Sequence, residues 1–363
     1  MRRLSSSIFR VLRLAPFRAL MRSLARPLEW LMQTWFNMKV LVLDEGQAGQ
    51  PTGYDRLVER ADGAVLVRDV ARLLEAATPG AKRQFLLWAE ERSQEDAHGL
   101  PYAERTFEWM RREIVRARGS LQGARILELG PGQTLASGLL LYANGAATYT
   151  AVDLFFMPGS NAQVYRQLRK HLAERPLLLP IDVETTRAEA LRRFDEAVRL
   201  EENEAVFSPG KVDYRWPVDA SRLPFPDASF DVVVSLAAFE HFQDPEAAIR
   251  ECARVTASSG VGLHQVDFRD HRDFSRPLEF LKHTDAEWTE IQKGSSAYTN
   301  RWRKGDFERA FSFSNLSLER MGGVERAPLD PALRSQLDPR FRDRSVEDLE
   351  VLGAFFVVRK PAV

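Results

Sequence analysis

The residues best suited to chemistry fall in three groups along the chain. The first is Gly130-Pro131-Gly132-Gln133-Thr134, which follows the apolar run Ile126-Leu127-Glu128-Leu129. Glycines there let a ligand approach the backbone, and the start of a following helix offers N–H groups with no intrahelical partner. Asp153 stands 21 residues after Gly132, at the end of the next apolar run. A carboxylate in that place can take two hydrogen bonds from ribose hydroxyls. Strand, Gly-x-Gly, helix, strand, Asp is the order of a site for a nucleoside-containing cofactor. The second group is Glu240-His241. The third is Asp267-Phe268-Arg269-Asp270-His271-Arg272-Asp273, the densest run of acids, histidine and arginine in the chain. General acid–base work would fall to His271 first, then to Asp267 or Asp270, with His241 a further candidate. The same run reads equally well as a solvated, salt-bridged loop. Asp267, Asp270 and His271 have too little ligand spacing to define a metal site, so no metal is expected.

The third glycine of the loop separates two cofactor classes. A dinucleotide fingerprint places Gly-x-Gly-x-x-Gly against the pyrophosphate. Here the third place is Leu135, which suits a pyrophosphate poorly. Further along come Asp219-Ala220-Ser221-Arg222-Leu223-Pro224-Phe225, then Asp227-Ala228-Ser229-Phe230-Asp231-Val232-Val233-Val234-Ser235. Phe239-Glu240-His241, Pro245-Glu246-Ala247-Ala248 and Arg254-Val255 before Gly260 complete the series.

In this order the motifs resemble those of the class I S-adenosylmethionine-dependent methyltransferases of the small-molecule type, over roughly residues 105–321. The resemblance implies S-adenosylmethionine as cofactor. It implies that Glu128, Gly130 and Gly132 line its methionine part, that Asp153 holds the ribose, and that Asp219 and Ala220 sit at the adenine. Ser235 would lie near the methyl-transfer centre. The stretch His264–Trp288 with Asn300–Phe307 is similar to a bacterial subgroup associated with glycan- or lipid-linked biosynthesis. The expected reaction is therefore transfer of a methyl group to a small or lipid/glycan-linked acceptor, on oxygen, by in-line displacement. Two other classes are weighed against it. One is a nucleotide (NAD(P))-dependent oxidoreductase, against which Leu135 and the downstream motifs speak. The other is a non-catalytic membrane-associated scaffold, against which the intact glycine loop speaks.

The elements that must position these residues alternate. Short apolar strands are expected at Arg125–Leu129, Thr148–Val152, Tyr214–Val218, Phe230–Leu236 and Val261–Val266. Helical spacing marks Tyr102–Arg118, Thr134–Asn144, Asn161–Glu174, Thr185–Glu202, Pro245–Thr256 and Lys304–Phe311. Leu316–Met321 and Val351–Arg359 should close the sheet as an antiparallel pair. The fold class is α/β, a Rossmann-like doubly wound sheet, mostly parallel with an antiparallel last strand and helices on both faces. A helical N-terminal extension is added to it. Asp153 to Asp219 is long for this fold, so a helical insertion is expected at about 161–210. Aromatic and basic residues at His283, Trp288, Tyr298, Asn300, Arg301, Trp302 and Arg303 could clamp a substrate or close the fold.

The chain has 363 residues, and its 51 basic and 51 acidic residues cancel. That balance disfavours a nucleic-acid partner recognised through bulk positive charge. The charge is uneven, however. Residues 1–36 hold seven Arg and the single acid Glu29, leaving the remainder at −6. Phe17, Leu20, Met21, Leu24, Leu28, Leu31, Met32 and Trp35 fall on one helical face, with Arg18, Arg22 and Arg26 on another. Such a basic amphipathic arm could lie on an anionic membrane surface or pack on its own protein. Residues 37–104 read as a linker and helical extension, and 105–363 as the main domain. Met38 begins Met-Lys-Val-Leu-Val-Leu-Asp and is a second candidate start. Cys252 is the single cysteine, so no intrachain disulfide can form. This suits a cytoplasmic location, peripheral to a membrane if the arm binds one. The oligomeric state is not legible.

Overall fold

The computed structural model describes residues 100–154, 161–175, 178, 185–292 and 298–362. The amphipathic arm, the linker and most of the N-terminal extension lie outside these residues. The described chain opens with helix α1 (Leu100–Arg118), which begins ahead of the expected boundary at residue 105. Strand β1 (Arg125–Leu129), helix α2 (Ala136–Ala143) and strand β2 (Thr148–Val152) follow. Helices α3 (Ala162–Glu174) and α4 (Arg187–Ala197) come next, then strands β3 (Val198–Leu200) and β4 (Ala205–Phe207). Strands β5 (Val212–Arg215) and β6 (Phe230–Leu236) lead to helix α5 (Pro245–Val255) and strand β7 (Thr256–Asp267). Helices α6 (Asp285–Gln292) and α7 (Lys304–Phe313) precede strand β8 (Ser317–Arg326). Three short helices, α8 (Pro331–Gln336), α9 (Pro339–Arg342) and α10 (Val346–Leu349), connect to the last strand, β9 (Val351–Arg359).

Seven strands form one sheet in the order β5-β2-β1-β6-β7-β9-β8. The first five are parallel, and β9 runs antiparallel to both β7 and β8. This is the doubly wound sheet with an antiparallel last strand that the alternation predicted. The strand order reverses at β1, which has β2 on one side and β6 on the other. In an open sheet of this kind, ligands bind beyond the carboxyl ends of the strands at that reversal.

Strand alternation divides the core. Ile126, Val232, Val234 and Leu263 face one cluster with Phe107 of α1 and Leu139 of α2. Leu127, Leu129 and Val233 face the other with Ile249 of α5 and Phe307 of α7. Helices therefore cover both faces. A third, smaller apolar cluster joins Phe280, Leu281 and Trp288 to Leu337, Phe341 and Leu349. It unites the connection after β7 with the one between β8 and β9. Gly353 of β9 pairs with Asp267 of β7, so this cap sits at the carboxyl end of β7, on the ligand side.

Two local expectations need correction. The segment 161–210 is not wholly helical. Helix α4 stops at Ala197, because Val198, Arg199 and Leu200 pair with Phe207, Val206 and Ala205 in an antiparallel hairpin. Val198 and Ala205 are buried there, and Phe207 packs edge-on against Tyr165 at 5.2 Å. Tertiary packing has overridden the helix propensity of a run rich in Arg and Glu. The third parallel strand also lies two residues earlier than expected, at Val212–Arg215 rather than Tyr214–Val218. Pro217 has no N–H for a ladder, and the Val218 N–H goes instead to the carbonyl of Asp153 at 2.8 Å. Among the described residues, no helix is long and apolar enough to cross a membrane.

Candidate functional site

The glycine turn follows β1 directly. Gly130 and Gly132 have φ of +68° and +72°, the left-handed region where a side chain is strained. The Gly130 N–H is fixed on the Val152 carbonyl at 2.9 Å. A Cβ on Gly130 would lie 3.0 Å from the Ala238 Cβ, whereas one on Gly132 would meet nothing within 4 Å. The turn is thus pinned at its first glycine and open above its second, the shape a backbone cradle requires. Tyr165, from the insertion, braces the exit of the turn by accepting the Leu135 N–H at 3.2 Å. Nothing near the turn in sequence indicates this support, which comes from 30 residues away.

Asp153 ends β2 next to the turn. Its N–H reaches the Arg215 carbonyl at 3.2 Å, and its own carbonyl accepts the Val218 N–H. These bonds bring the expected ribose position and the 218–220 loop together across neighbouring strand ends. Ala220 is half-buried against the apolar cluster beneath. Asp219 is exposed, and its Oδ1 accepts the Ser221 N–H at 2.8 Å and the Ser221 hydroxyl at 2.7 Å. Its carboxylate therefore organises the 219–222 turn.

Glu128 is buried, and the Tyr149 hydroxyl donates to its Oε2 at 2.5 Å. The partner that the chain supplies to this buried acid is a phenol. Burial raises the Glu128 pKa to about 7, against the opposing hydrogen bond from Tyr149. The open space over Gly132, the ribose-side carboxylate and a buried acid able to meet a cation together fit the methionine and ribose parts of S-adenosylmethionine.

The raised pKa has a consequence for stability. In the unfolded chain a glutamate titrates near 4.3, so Glu128 binds its proton more tightly when folded. Its contribution is complete below about pH 4.3 and is lost as pH rises through about 7. The stability of the wild type relative to Glu128→Gln should fall by roughly 3 kcal/mol between pH 4.5 and pH 8 in denaturant titrations of the ligand-free protein. A constant difference across that range would show that Glu128 is already ionised near pH 5.

The remaining candidates gather beyond β6 and β7. Ser235 and His264 are neighbours in the β6–β7 register, and the Ser235 Oγ lies 2.8 Å from His264 Nδ1. Both are fully buried, and His264 stacks on Phe311 at 5.5 Å. Desolvation lowers the His264 pKa to about 3, so its ring is neutral at pH 7. The Ser235 side chain is thus engaged with His264.

Asp270 is buried, and its carboxylate accepts two bonds from the Arg272 guanidinium at 2.9 and 2.6 Å. Asp267 is held in a forked pair by Arg269. Burial alone would raise the Asp267 pKa, but His271 and Arg269 outweigh it and hold the group well below the usual carboxylate range. Both carboxylates are therefore engaged by arginines two residues away and brace the loop. The salt-bridged reading of 267–273 holds for its acids.

The histidines differ. His271 Nε2 is 3.5 Å from Asp267 Oδ2, a long contact, and its ring is 5.1 Å from that of His241. His241 donates from Nδ1 to the Tyr298 carbonyl, at 2.6 Å. With the proton on Nδ1, the lone pair of the neutral ring sits on Nε2. Desolvation by its neighbours, reinforced by the His271 ring, lowers the His241 pKa although its outer edge remains exposed. The geometry thus favours His241 over His271 as the oriented base.

Of the two readings of this segment, clamping a substrate or closing the fold, the bonds of Asn300 and Arg303 are of the second kind. Asn300 donates from Nδ2 to the Phe239 and Phe242 carbonyls at 2.7 and 3.0 Å, and its N–H reaches the Glu240 carbonyl at 2.7 Å. Arg303, fully buried, donates to the Phe268 carbonyl at 2.6 Å and the Leu349 carbonyl at 2.9 Å, and also to that of Val351. The 239–242 turn and the 267–273 loop are therefore held against each other from one strap. Glu240, which the sequence places beside His241 without assigning it a role, is buried within this arrangement.

Parts of the chain are similar to known proteins. A family profile described as "Methyltransferase domain" matches residues 194–263, from α4 into β7. Ajmaline N-methyltransferase of Rauvolfia serpentina is 42% identical over 64 residues, 18% of this chain and 21% of that protein. A protein of Mycobacterium tuberculosis named "Probable S-adenosylmethionine-dependent methyltransferase" is 51% identical over 57 residues, 15% of this chain and 21% of its own. The chain thus spans about a fifth of the length of the curated relatives it matches. Among solved structures, a chain from the Haloferax volcanii complex with the Trm112 methyltransferase activator is 18% identical, with a TM-score of 0.39. That similarity covers 76% of this chain and 96% of the other. An S-adenosylmethionine-dependent methyltransferase from Mesorhizobium loti is 14% identical, with a TM-score of 0.38, over 70% of this chain and 97% of its own. Residues 194–263 thus match a methyltransferase domain, and the glycine turn and ordered motifs before that stretch complete the likeness to the class I S-adenosylmethionine-dependent methyltransferases.

Proposed function

We propose that the protein transfers a methyl group from S-adenosylmethionine to a hydroxyl oxygen of a small acceptor. The observation that carries this reading is the division of the strand ends. The glycine turn, Asp153 and the 218–220 loop lie at β1, β2 and β5, whereas Glu240, His241 and the 267–273 loop lie at β6 and β7. Cofactor and acceptor would then meet beyond β1 and β6, at the reversal of strand order.

When bound, S-adenosylmethionine supplies a methyl group on a sulfonium, already activated by its positive charge. The chain's own residues do the rest. The turn at Gly130 and Gly132, with Glu128 below it, holds the methionine part, and Asp153 accepts from the ribose hydroxyls. The 218–220 loop supports the adenine. His241 Nε2 takes the acceptor hydroxyl proton as the carbon–oxygen bond forms, a role worth typically 100- to 10,000-fold. Holding both partners in line can supply roughly 7–11 kcal/mol of the barrier reduction.

Ajmaline N-methyltransferase suggests nitrogen as the alternative acceptor atom. The oriented lone pair of His241 Nε2 favours oxygen, because a hydroxyl acceptor must lose its proton as it attacks whereas a neutral amine needs no base; the paired Asp267–Arg269 and Asp270–Arg272 leave little net negative charge to gather a cationic substrate. The basic amphipathic segment 1–36 supports a membrane-peripheral, cytoplasmic setting, in which a lipid- or glycan-linked acceptor would be presented at the surface.

Calorimetry tests the cofactor half directly. The intact protein should bind S-adenosylmethionine and S-adenosylhomocysteine, and Asp153→Ala should weaken both by about 10- to 100-fold, the worth of charge-assisted bonds to the ribose. Absence of binding to the intact protein would overturn the reading.

A further inference from the structure

Glu240 is 2% exposed and sits in the turn after β6. Its Oε1 accepts the Asp267 N–H at 3.3 Å, while its Oε2 is buried with no hydrogen-bond partner. An unsatisfied buried oxygen is costly and calls for a partner that the described residues do not supply. His271 Nε2 lies in the same cluster, 3.5 Å from Asp267 Oδ2. Both elements that carry them stand at the carboxyl ends of β6 and β7, where the acceptor is placed.

We propose that Glu240 is a specificity-determining residue, whose protonated carboxyl donates a hydrogen bond from Oε2 to an oxygen of the methyl acceptor and so selects a hydroxyl-bearing acceptor over an ammonium. This rests on the methyltransferase reading of the site. The division of labour between its oxygens follows from the bonds. Oε1 is engaged as an acceptor, so the proton resides on Oε2, the oxygen that lacks a partner. The neighbouring charges keep that proton in place. Asp267 is anionic in its pair with Arg269, and a second carboxylate against it would be repelled. Burial and Asp267 raise the Glu240 pKa to about 8, against the opposing effects of its own backbone N–H, the Asp267 N–H and Arg269. The other groups facing this region are the two histidines: His241, with its lowered pKa, and His271. No carboxylate in the cluster is thus left both ionised and unpaired to receive an ammonium. A hydroxyl can accept from Glu240 while His241 Nε2 faces its proton.

The test uses the full chain loaded with S-adenosylhomocysteine and two probes of matched size, benzyl alcohol and benzylamine, the latter charged at pH 7. Binding is followed by ligand-observed NMR titration. Wild type should bind the alcohol at least about tenfold more tightly than the amine. E240Q, whose amide donates from the same place without charge, should keep the alcohol affinity within about threefold. E240L, which fills the space without a donor, should lower it at least about fivefold. Unchanged S-adenosylhomocysteine affinity shows that each variant is folded. The proposal is overturned if the amine binds as tightly as the alcohol, if E240Q and E240L behave alike, or if neither probe binds the loaded protein. Failure of the intact protein to bind S-adenosylhomocysteine would instead remove the underlying reading.

Discussion

Gly130→Val should lower the affinity for S-adenosylmethionine by at least about 100-fold, a loss of roughly 2.7 kcal/mol or more. Two costs combine at this position. The backbone sits at φ +68°, where a β-branched side chain is a steric outlier. A Cβ alone would already stand 3.0 Å from the Ala238 Cβ, and the two valine methyls extend further. Ala238 leads into the turn that carries Glu240 and His241, so relief of the clash must move either the cradle or the acceptor wall. The Gly130 N–H bond to Val152 resists the first movement. Gly132→Ala provides the contrast. It meets the same backbone strain at φ +72° but no neighbouring atom within 4 Å, and should cost less than Gly130→Val in calorimetric titration. If Gly130→Val bound the cofactor within tenfold of wild type, the turn would not be the cradle.

The sheet was legible because its strands are short, apolar and β-branched. Ile126 to Leu129 and Phe230 to Leu236 announce themselves by composition, and both appear with the expected bounds. The glycine turn and Asp153 were legible for a different reason: their spacing reflects a single supersecondary unit, in which local order determines spatial order. What escaped was set by partners distant in sequence. The end of α4 depends on a hairpin pairing Val198 with Phe207, and nothing within the helical run specifies it. Glu128 meets Tyr149 because β1 and β2 are neighbours, with Glu128 and Tyr149 two rungs apart in register. The 267–273 loop was recognisable as unusual. Its acids proved to be paired within two residues, Asp267 with Arg269 and Asp270 with Arg272. Charge density alone does not distinguish a reactive loop from a braced one. His241 gained over His271 only through the Tyr298 carbonyl, 57 residues away in sequence.

Arg303→Met should be the most destabilising single change on the acceptor side, costing about 3–5 kcal/mol. The guanidinium is fully buried and ties together three carbonyls, those of Phe268, Leu349 and Val351. Its charge lies over the Phe268 ring at 5.3 Å. Desolvation lowers its pKa to about 10, so it stays charged at pH 7. Methionine fills much of the volume but leaves those acceptors buried without donors, at about 1–3 kcal/mol each, partly relieved by relaxation. For a domain of this size the melting temperature should fall by roughly 10 °C. Arg303→Lys should lie between, because one ammonium cannot span three carbonyls as a planar fork does. The same substitution separates the two halves of the site. The bonds lost hold the loop after β7 to the cap and to β9, whereas the glycine turn and Asp153 are anchored at β1, β2 and β5. At a temperature where the variant remains folded, cofactor affinity should therefore stay within about threefold of wild type while acceptor-side contacts loosen. A loss below about 1 kcal/mol would mean that water replaces the guanidinium at these carbonyls; a parallel collapse of cofactor affinity would mean that the two halves are one cooperative unit.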